Sequence, residues 1–106
     1  MSEYIQVVTT TEKQDDALAI GRALIEQRLA ACVQVVGPVT SVYRWKGQIE
    51  TGQEWQCWAK SRQDCYGRIE QAVREHHPYE EPEILAVPIT AGSASYLAWL
   101  DAELAE

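Results

Sequence analysis

The sequence predicts an α+β fold whose elements follow the order β-α-β-β-α-β, with one further helix at the C terminus. Three observations carry this prediction: segments rich in β-branched and aromatic residues, segments in which apolar residues recur at three-and-four spacing, and two long strand-like arms joined at a glycine. No linker or internal repeat interrupts the 106 residues. We therefore expect a single domain over residues 1–106.

The first part of the chain predicts a strand, a helix and a second strand. Residues 4–9 are rich in β-branched side chains. From about residue 13 to residue 29 apolar residues recur on one helical face, and Gly21 within that face is expected to allow close approach to the sheet. A strand resumes at residues 30–36. The Gly37-Pro38 pair that follows predicts a bulge or bend, because proline cannot donate to the sheet.

The longest predicted feature is a β-hairpin. Strand-forming residues such as Tyr43 and Trp55 lie on both sides of a turn at residues 46–48. If the arms begin near Cys32 and end near Lys60, each spans about 40 to 50 Å at about 3.3 Å per residue. A compact chain of this length has a radius of gyration of about 13 Å. The ends of the arms would therefore project with unpaired backbone groups, and we expect other copies of the chain to cover them.

The second half predicts a helix, a strand and a last helix. The second helix carries an apolar stripe from Cys65 to His76, and it is expected to end at His77 because Pro78 disfavours helical geometry in the residue before it. Residues 84–89 form an apolar strand, which Pro88 restricts to the edge or the end of a sheet. A serine at position 93 or 95 can cap the last helix. This is the split βαβ, ferredoxin-like order, with helices on one face of an antiparallel sheet.

Composition excludes several classes of partner. The net charge is −7 and the basic residues are scattered, so we expect no nucleic-acid partner. The longest apolar run covers only residues 29–33 and no basic region precedes an apolar run at the start, so we expect neither a secretory signal nor a membrane partner. Cys32, Cys57 and Cys65 are odd in number and form no C-x-x-C pair. A reducing compartment is favoured, and we expect a cytoplasmic protein.

Four blocks of the sequence form a recognisable pattern. They are Leu-Ala-Ala-Cys-Val at residues 29–33, Ser-Val-Tyr-Arg-Trp-Lys-Gly-Gln-Ile-Glu at residues 41–50, His-His-Pro-Tyr-Glu-Glu-Pro-Glu at residues 76–83, and Tyr-Leu-Ala-Trp-Leu at residues 96–100. In order and spacing these blocks resemble the CutA divalent-cation tolerance family, over nearly the whole chain. The resemblance implies a ferredoxin-like subunit in a tight homotrimer that shares its hairpin arms between subunits, with an architecture similar to that of PII signalling proteins.

The resemblance also implies a metal site. Members of the family are linked to tolerance of copper and other divalent metals, and copper binding is attributed in part to paired histidines, which match His76 and His77 here. Neutral imidazole suits copper, zinc and nickel. Some members carry a cysteine about where this chain has Thr9, so a soft thiolate ligand is missing if that cysteine completes the site. We expect a divalent metal ion, copper(II) foremost, and no organic cofactor.

A competing interpretation assigns the histidines to structure. In a continuous helix two adjacent side chains point about 100° apart, which disfavours a shared ion unless Pro78 ends the helix between them. Under the competing interpretation His76 completes the buried stripe of the second helix, and His77 caps the negative end of that helix. The sequence leaves both interpretations open.

Three functions remain in competition at this point. The leading hypothesis is a non-enzymatic, cytoplasmic homotrimer that binds or responds to divalent metal. The first alternative is a PII-like signalling trimer whose intersubunit clefts bind a small-molecule effector or a partner protein. The second alternative is an enzyme that uses Glu50, Tyr79, His76 or Glu83 in such a cleft.

Overall fold

The computed structural model describes residues 3–105. Its elements are β1 (Tyr4–Thr11), α1 (Gln14–Glu26), β2 (Cys32–Trp45), β3 (Gln48–Arg62), a 3₁₀ turn (Gln63–Cys65), α2 (Tyr66–His76), β4 (Leu85–Ile89) and α3 (Ala94–Glu103). The α+β class and the order of the elements are as predicted. α1 is shorter than the sequence pattern indicated. The chain leaves the helix after Glu26, because Arg28 adopts a positive φ of 58°.

One antiparallel sheet organises the chain, with strand order β2-β3-β1-β4. β4 lies at an edge, which confirms the position that Pro88 predicted. β1 alternates between faces: Ile5 and Val7 are buried, whereas Tyr4, Gln6 and Val8 are half-exposed. The buried face meets α1 and α2, whose apolar stripes contribute Leu24 and Ile69 to the same core. The helices therefore cover one face of the central strands.

The hairpin of β2 and β3 is the most extended part of the molecule. Its arms contain 14 and 15 residues, and the molecule measures 45 × 25 × 22 Å with a radius of gyration of 14.3 Å. Lys46 and Gly47 form the turn with positive φ values of 50° and 80°, the backbone that matches the twist of the two strands. We call residues 42–49 the hairpin tip. Val42 and Ile49 in the tip are 67% and 69% exposed, so a single chain leaves them in water.

The pairing of the two arms shifts once, at the predicted bulge. Gly37 and Pro38 together lie opposite the single residue Trp55 of β3, between the regular pairs made by Val36 and Val39. The Gly37-Pro38 peptide bond is cis. An added Cβ at Gly37 would come within 2.9 Å of the Trp55 ring, so the absence of a side chain lets this ring lie against the backbone. A bulge bends the strand that contains it, so the outer part of the hairpin runs in a different direction from the core sheet.

α3 is attached to the sheet by both apolar and charged contacts. Ser93 caps it by accepting a hydrogen bond from the backbone N–H of Tyr96 at 3.3 Å, which confirms one of the two predicted caps. The Tyr4 hydroxyl donates to Asp101 Oδ2 at 2.7 Å, and Arg62 Nη1 donates to Asp101 Oδ1 at 3.2 Å. The hydrogen bond from Tyr4 and the neighbouring Arg62 lower the pKa of Asp101 below its ordinary value of 3.8. Asp101 thus joins α3 to β1 and β3.

The Asp101 contacts predict a defined pH dependence. Because the pKa of Asp101 is lower in the folded state, its stabilising contribution is complete above about pH 4 and is lost as the pH falls through the folded-state value. We expect Asp101→Asn to lower the urea midpoint at pH 5 to 8, and the difference from the parent to shrink below pH 4. Unfolding should be followed by circular dichroism at one chain concentration.

The matched control is Glu26→Gln, which removes an exposed carboxylate that makes no ion pair within residues 3–105. Its midpoint should stay within error of the parent at every pH. An Asp101→Asn difference that persists unchanged at pH 2.5 would show that the carboxylate charge is not what holds α3.

Candidate functional site

The two predicted histidines lie where α2 ends, beside the C-terminal end of β1. α2 stops at His76, since His77 has the extended dihedrals φ −86° and ψ 134°, as the following proline predicted. The chain then runs through residues 77–83, which we call the acidic segment because it contains three glutamates. The acidic segment crosses to the base of the outer hairpin before β4 begins. It therefore connects the histidines to the hairpin.

His76 is exposed, and one of its nitrogens is available to a ligand. Its Nδ1 lies 2.9 Å from the Ala72 carbonyl oxygen. A carbonyl only accepts, so Nδ1 carries the proton and the lone pair resides on Nε2. Nε2 has no hydrogen-bond partner among residues 3–105. The interpretation in which His76 completes the buried stripe is wrong, because that stripe ends at Val73.

His77 is half-buried, and both of its ring nitrogens are engaged. Its Nε2–H donates to the Thr10 carbonyl oxygen of β1 at 2.8 Å, and its Nδ1 accepts from the Tyr79 backbone N–H at 3.1 Å. These two bonds define a neutral ring with the proton on Nε2. The Tyr79 ring packs against the imidazole at a centroid distance of 4.7 Å. His77 thus bonds to β1 rather than to a carbonyl at the end of α2.

The two rings fit a divalent ion unequally. His76 fits as it stands, because a metal ligand must offer an imidazole lone pair and its Nε2 does so. His77 fits only if it gives up a backbone hydrogen bond. Within residues 3–105 there is no group of three or more His, Cys, Asp or Glu side chains arranged to hold a metal. One chain therefore offers a partial site with one ready imidazole.

Two of the three soft ligands that the sequence contains, Cys57 and Cys65, are buried away from solvent. Thr9, at the position that the resemblance associates with a cysteine, points into the core opposite Cys57, and its hydroxyl is buried with no hydrogen-bond partner among the described residues. Burial raises the pKa of the Cys57 thiol to about 11, so this thiol stays protonated at neutral pH. Cys65 is also buried and Cys32 is half-buried, and all three thiols are free. Cys57 and Cys65 belong to the hydrophobic core and behave as small core residues.

A cleft of about 550 Å³ lies between the acidic segment and the hairpin. Its lining combines hydroxyl, aromatic and carboxylate side chains, from Thr10, Ser41, Val42, Tyr43, Trp45, Glu54, Tyr79, Glu80, Glu81 and Glu83. Among the residues that the sequence suggested for such a cleft, Tyr79 and Glu83 line it, whereas Glu50 and His76 are not part of its lining. The cleft thus adjoins the site of His77 through Tyr79.

Glu54 is the residue that sequence reasoning missed. The Tyr79 hydroxyl donates to Glu54 Oε2 at 2.7 Å, across 25 positions of sequence. Burial and this hydrogen bond raise the pKa of Tyr79 far above its ordinary value of 10.0. Desolvation, and then the Glu54 charge, raise the pKa of Glu83. No local pattern marks Glu54, because only the path of the hairpin brings it to the acidic segment.

None of the helices within residues 3–105 combines the length and the apolar character needed to cross a membrane. The chain is a small α+β protein with a projecting hairpin, an exposed imidazole and an aromatic, carboxylate-lined cleft. These features define a class of small α+β proteins that carry a candidate ligand cleft beside a projecting hairpin.

Comparisons with known proteins identify the family. The model of the CutA1 divalent ion tolerance protein family matches residues 5–103, and the chain therefore belongs to the CutA family. The divalent-cation tolerance protein CutA of Thermus thermophilus is 40% identical over 94 residues, which are 89% of this chain and 91% of that protein. That of Yersinia pestis is 35% identical over 103 residues, 97% of this chain and 87% of that protein. The solved CutA1 structure from Shewanella sp. SIB1 has a TM-score of 0.94 at 38% identity, covering 99% of this chain and 98% of that one. The family inferred from the four sequence blocks is thereby confirmed.

Proposed function

We propose that this protein is a non-enzymatic, cytoplasmic homotrimer that binds divalent metal ions, copper(II) foremost, and so contributes to their tolerance. The observation that carries the proposal is the exposed imidazole of His76, whose Nε2 lone pair is available in a chain of the divalent-cation tolerance family. Copper stands first because imidazole sites generally bind copper(II) more tightly than the other first-row divalent ions. No organic cofactor, nucleic acid or membrane takes part.

The exposed apolar surface supports the trimer. The hairpin tip exposes Val42 and Ile49, and the edge strand β4 exposes Leu85 and Val87. Long unpaired strand edges with apolar side chains are liabilities unless another chain covers them. We propose that three ferredoxin-like subunits cover these surfaces for one another.

Calorimetric titration with copper(II) tests the metal site. We expect His76→Ala to weaken binding by at least about tenfold, because it removes the available lone pair. His77→Ala should weaken binding less, since ligation by His77 already requires the loss of a hydrogen bond. Gln71→Ala, an exposed change five residues before His76 on α2, is the control and should bind like the parent. Identical titration curves for the parent and both histidine variants would remove the site assignment.

The cleft favours a second candidate function, that of a PII-like signalling trimer which binds a small-molecule effector or a partner protein. A volume of about 550 Å³ lies within the range of small-ligand pockets, about 300 to 1,000 Å³. A metabolite screen by thermal shift in the presence of a chelator addresses this alternative. Saturable stabilisation without metal, abolished by a change at Tyr79, would favour it over metal binding.

A further inference from the structure

Hydrogen bonds made by His77 and Tyr79 connect one of the two metal-site candidates to the cleft. The series begins at the Thr10 carbonyl of β1, passes through both nitrogens of His77 to the Tyr79 backbone N–H, and ends where the Tyr79 hydroxyl meets Glu54 of β3. We call this series the His77 bridge. Because its two ends are on β1 and β3, the bridge holds the acidic segment against the sheet. Tyr79 is in this way positioned as a wall of the cleft.

Ligation by His77 and an intact bridge exclude each other. If Nδ1 gives its lone pair to an ion, the Tyr79 N–H loses its acceptor. If Nε2 is the ligand instead, the ring proton must move to Nδ1, which then faces the Tyr79 N–H as a second donor, and the Thr10 carbonyl loses its own donor as well. Whichever nitrogen His77 uses, the Tyr79 amide is left without its partner.

While the His77 bridge is intact, two carboxylates also lie close together. Glu54 accepts the Tyr79 hydroxyl and lies near enough to Glu83 for its charge to act on that carboxyl. The Tyr79 hydrogen bond offsets this repulsion while Tyr79 is held in place. Once the amide of Tyr79 is released, carboxylate repulsion favours movement of the acidic segment into solvent.

We propose that His77 couples divalent-ion binding to the cleft, so that ligation through its ring releases Tyr79 and loosens the acidic segment. The inference rests on the proposed metal-binding function and adds a regulation of that site. Coupling of this kind is reciprocal. A ligand that holds Tyr79 in the cleft lowers the affinity for the ion, and the ion lowers the affinity for that ligand by the same factor. The acidic segment, which is either held against the sheet or released, thus links the metal site to the cleft.

Hydrogen–deuterium exchange of the full-length protein with and without copper(II) tests the coupling. The ion is removed by a chelator at the quench, and the Tyr79 amide is compared with the amides of α3 as an internal reference. We expect saturation with copper(II) to accelerate exchange of the Tyr79 amide, which donates to His77 Nδ1, by at least about tenfold and to leave α3 unchanged. Calorimetry in the same buffer reports independently whether the ion binds.

Two substitutions at His77 distinguish its role as a metal ligand from its role in the His77 bridge. His77→Asn retains an acceptor oxygen near the position of Nδ1, and asparagine commonly accepts from the amide two residues ahead, so the Tyr79 amide should stay protected and copper(II) should not change its exchange. His77→Gln retains a donor near Nε2 but loses that acceptor, so exchange should be fast with and without the ion. Circular dichroism of both variants confirms that they are folded.

The outcomes distinguish this inference from the function on which it rests. Copper-dependent exchange in the parent but not in His77→Asn supports the coupling. Binding heat with no change in exchange overturns the coupling and leaves metal binding intact. Equal acceleration in the parent and in His77→Asn also overturns it, because the release would then not pass through His77. Absence of binding heat overturns both.

Discussion

Replacing Val42 and Ile49 together by glutamate is expected to reduce the proposed particle of three chains to a single chain. Light scattering of the parent at micromolar concentration should report about three times the chain mass of 12.0 kDa. The strand register places Val42 and Ile49 on the same face of the hairpin tip, because Ile49 pairs with Arg44, two residues after Val42. Burying such side chains stabilises an interface by about 1.5 to 3 kcal/mol each, whereas burying two unpaired carboxylates opposes association strongly.

The control for this prediction is Leu18→Glu, which makes the same chemical change at an apolar side chain of α1 that is 49% exposed. Leu18 lies outside the hairpin, so this variant should keep the mass of the parent. A parent of 12.0 kDa would refute the proposed assembly. A trimeric Val42→Glu/Ile49→Glu variant would instead place the interface away from the hairpin tip.

Gly21→Ala is expected to lower the free energy of unfolding. An added Cβ at Gly21 of α1 would lie 2.7 Å from Val33 Cγ1 of β2, and the branched side chain of Val33 has little freedom to move away. Overpacking of a core costs about 1 to 3 kcal/mol, against a gain of up to about 1 kcal/mol from the better helix propensity of alanine. After the gain is subtracted, we expect a net loss of up to about 2 kcal/mol. Urea unfolding at one chain concentration measures it.

Two further variants show whether the contact with Val33 is the cause. Gly67→Ala adds the same methyl group in the first turn of α2, where nothing lies within 4 Å, so the variant should be as stable as the parent or more stable. A double-mutant cycle of Gly21→Ala with Val33→Ala should show a favourable coupling energy, because the smaller side chain makes room for the new methyl group. Additive effects in that cycle would refute the predicted close packing of α1 on β2.

The candidate site was predicted in part. The histidines were found through the resemblance of residues 76–83 to a known family, and Pro78 correctly marked the end of α2. The difference between them, that His76 has an available ring nitrogen and His77 has none, was not predicted. It arises because His77, once outside the helix, reaches a carbonyl of β1, whereas His76 turns back to its own helix. Glu54 was not predicted at all, since its contact with Tyr79 joins two segments that are remote in sequence.

By itself, the sequence determined the features that depend on local chemistry. Backbone preferences that act within a few residues determine three of these features. They are the turn at Lys46 and Gly47, the bulge at Gly37-Pro38 and the edge position of the strand that contains Pro88. The tertiary structure alone decided which imidazole nitrogen is available and how the acidic segment closes on the cleft. Those outcomes depend on hydrogen bonds between residues that are brought together only when the sheet and helices pack. No rule of local spacing contains that information.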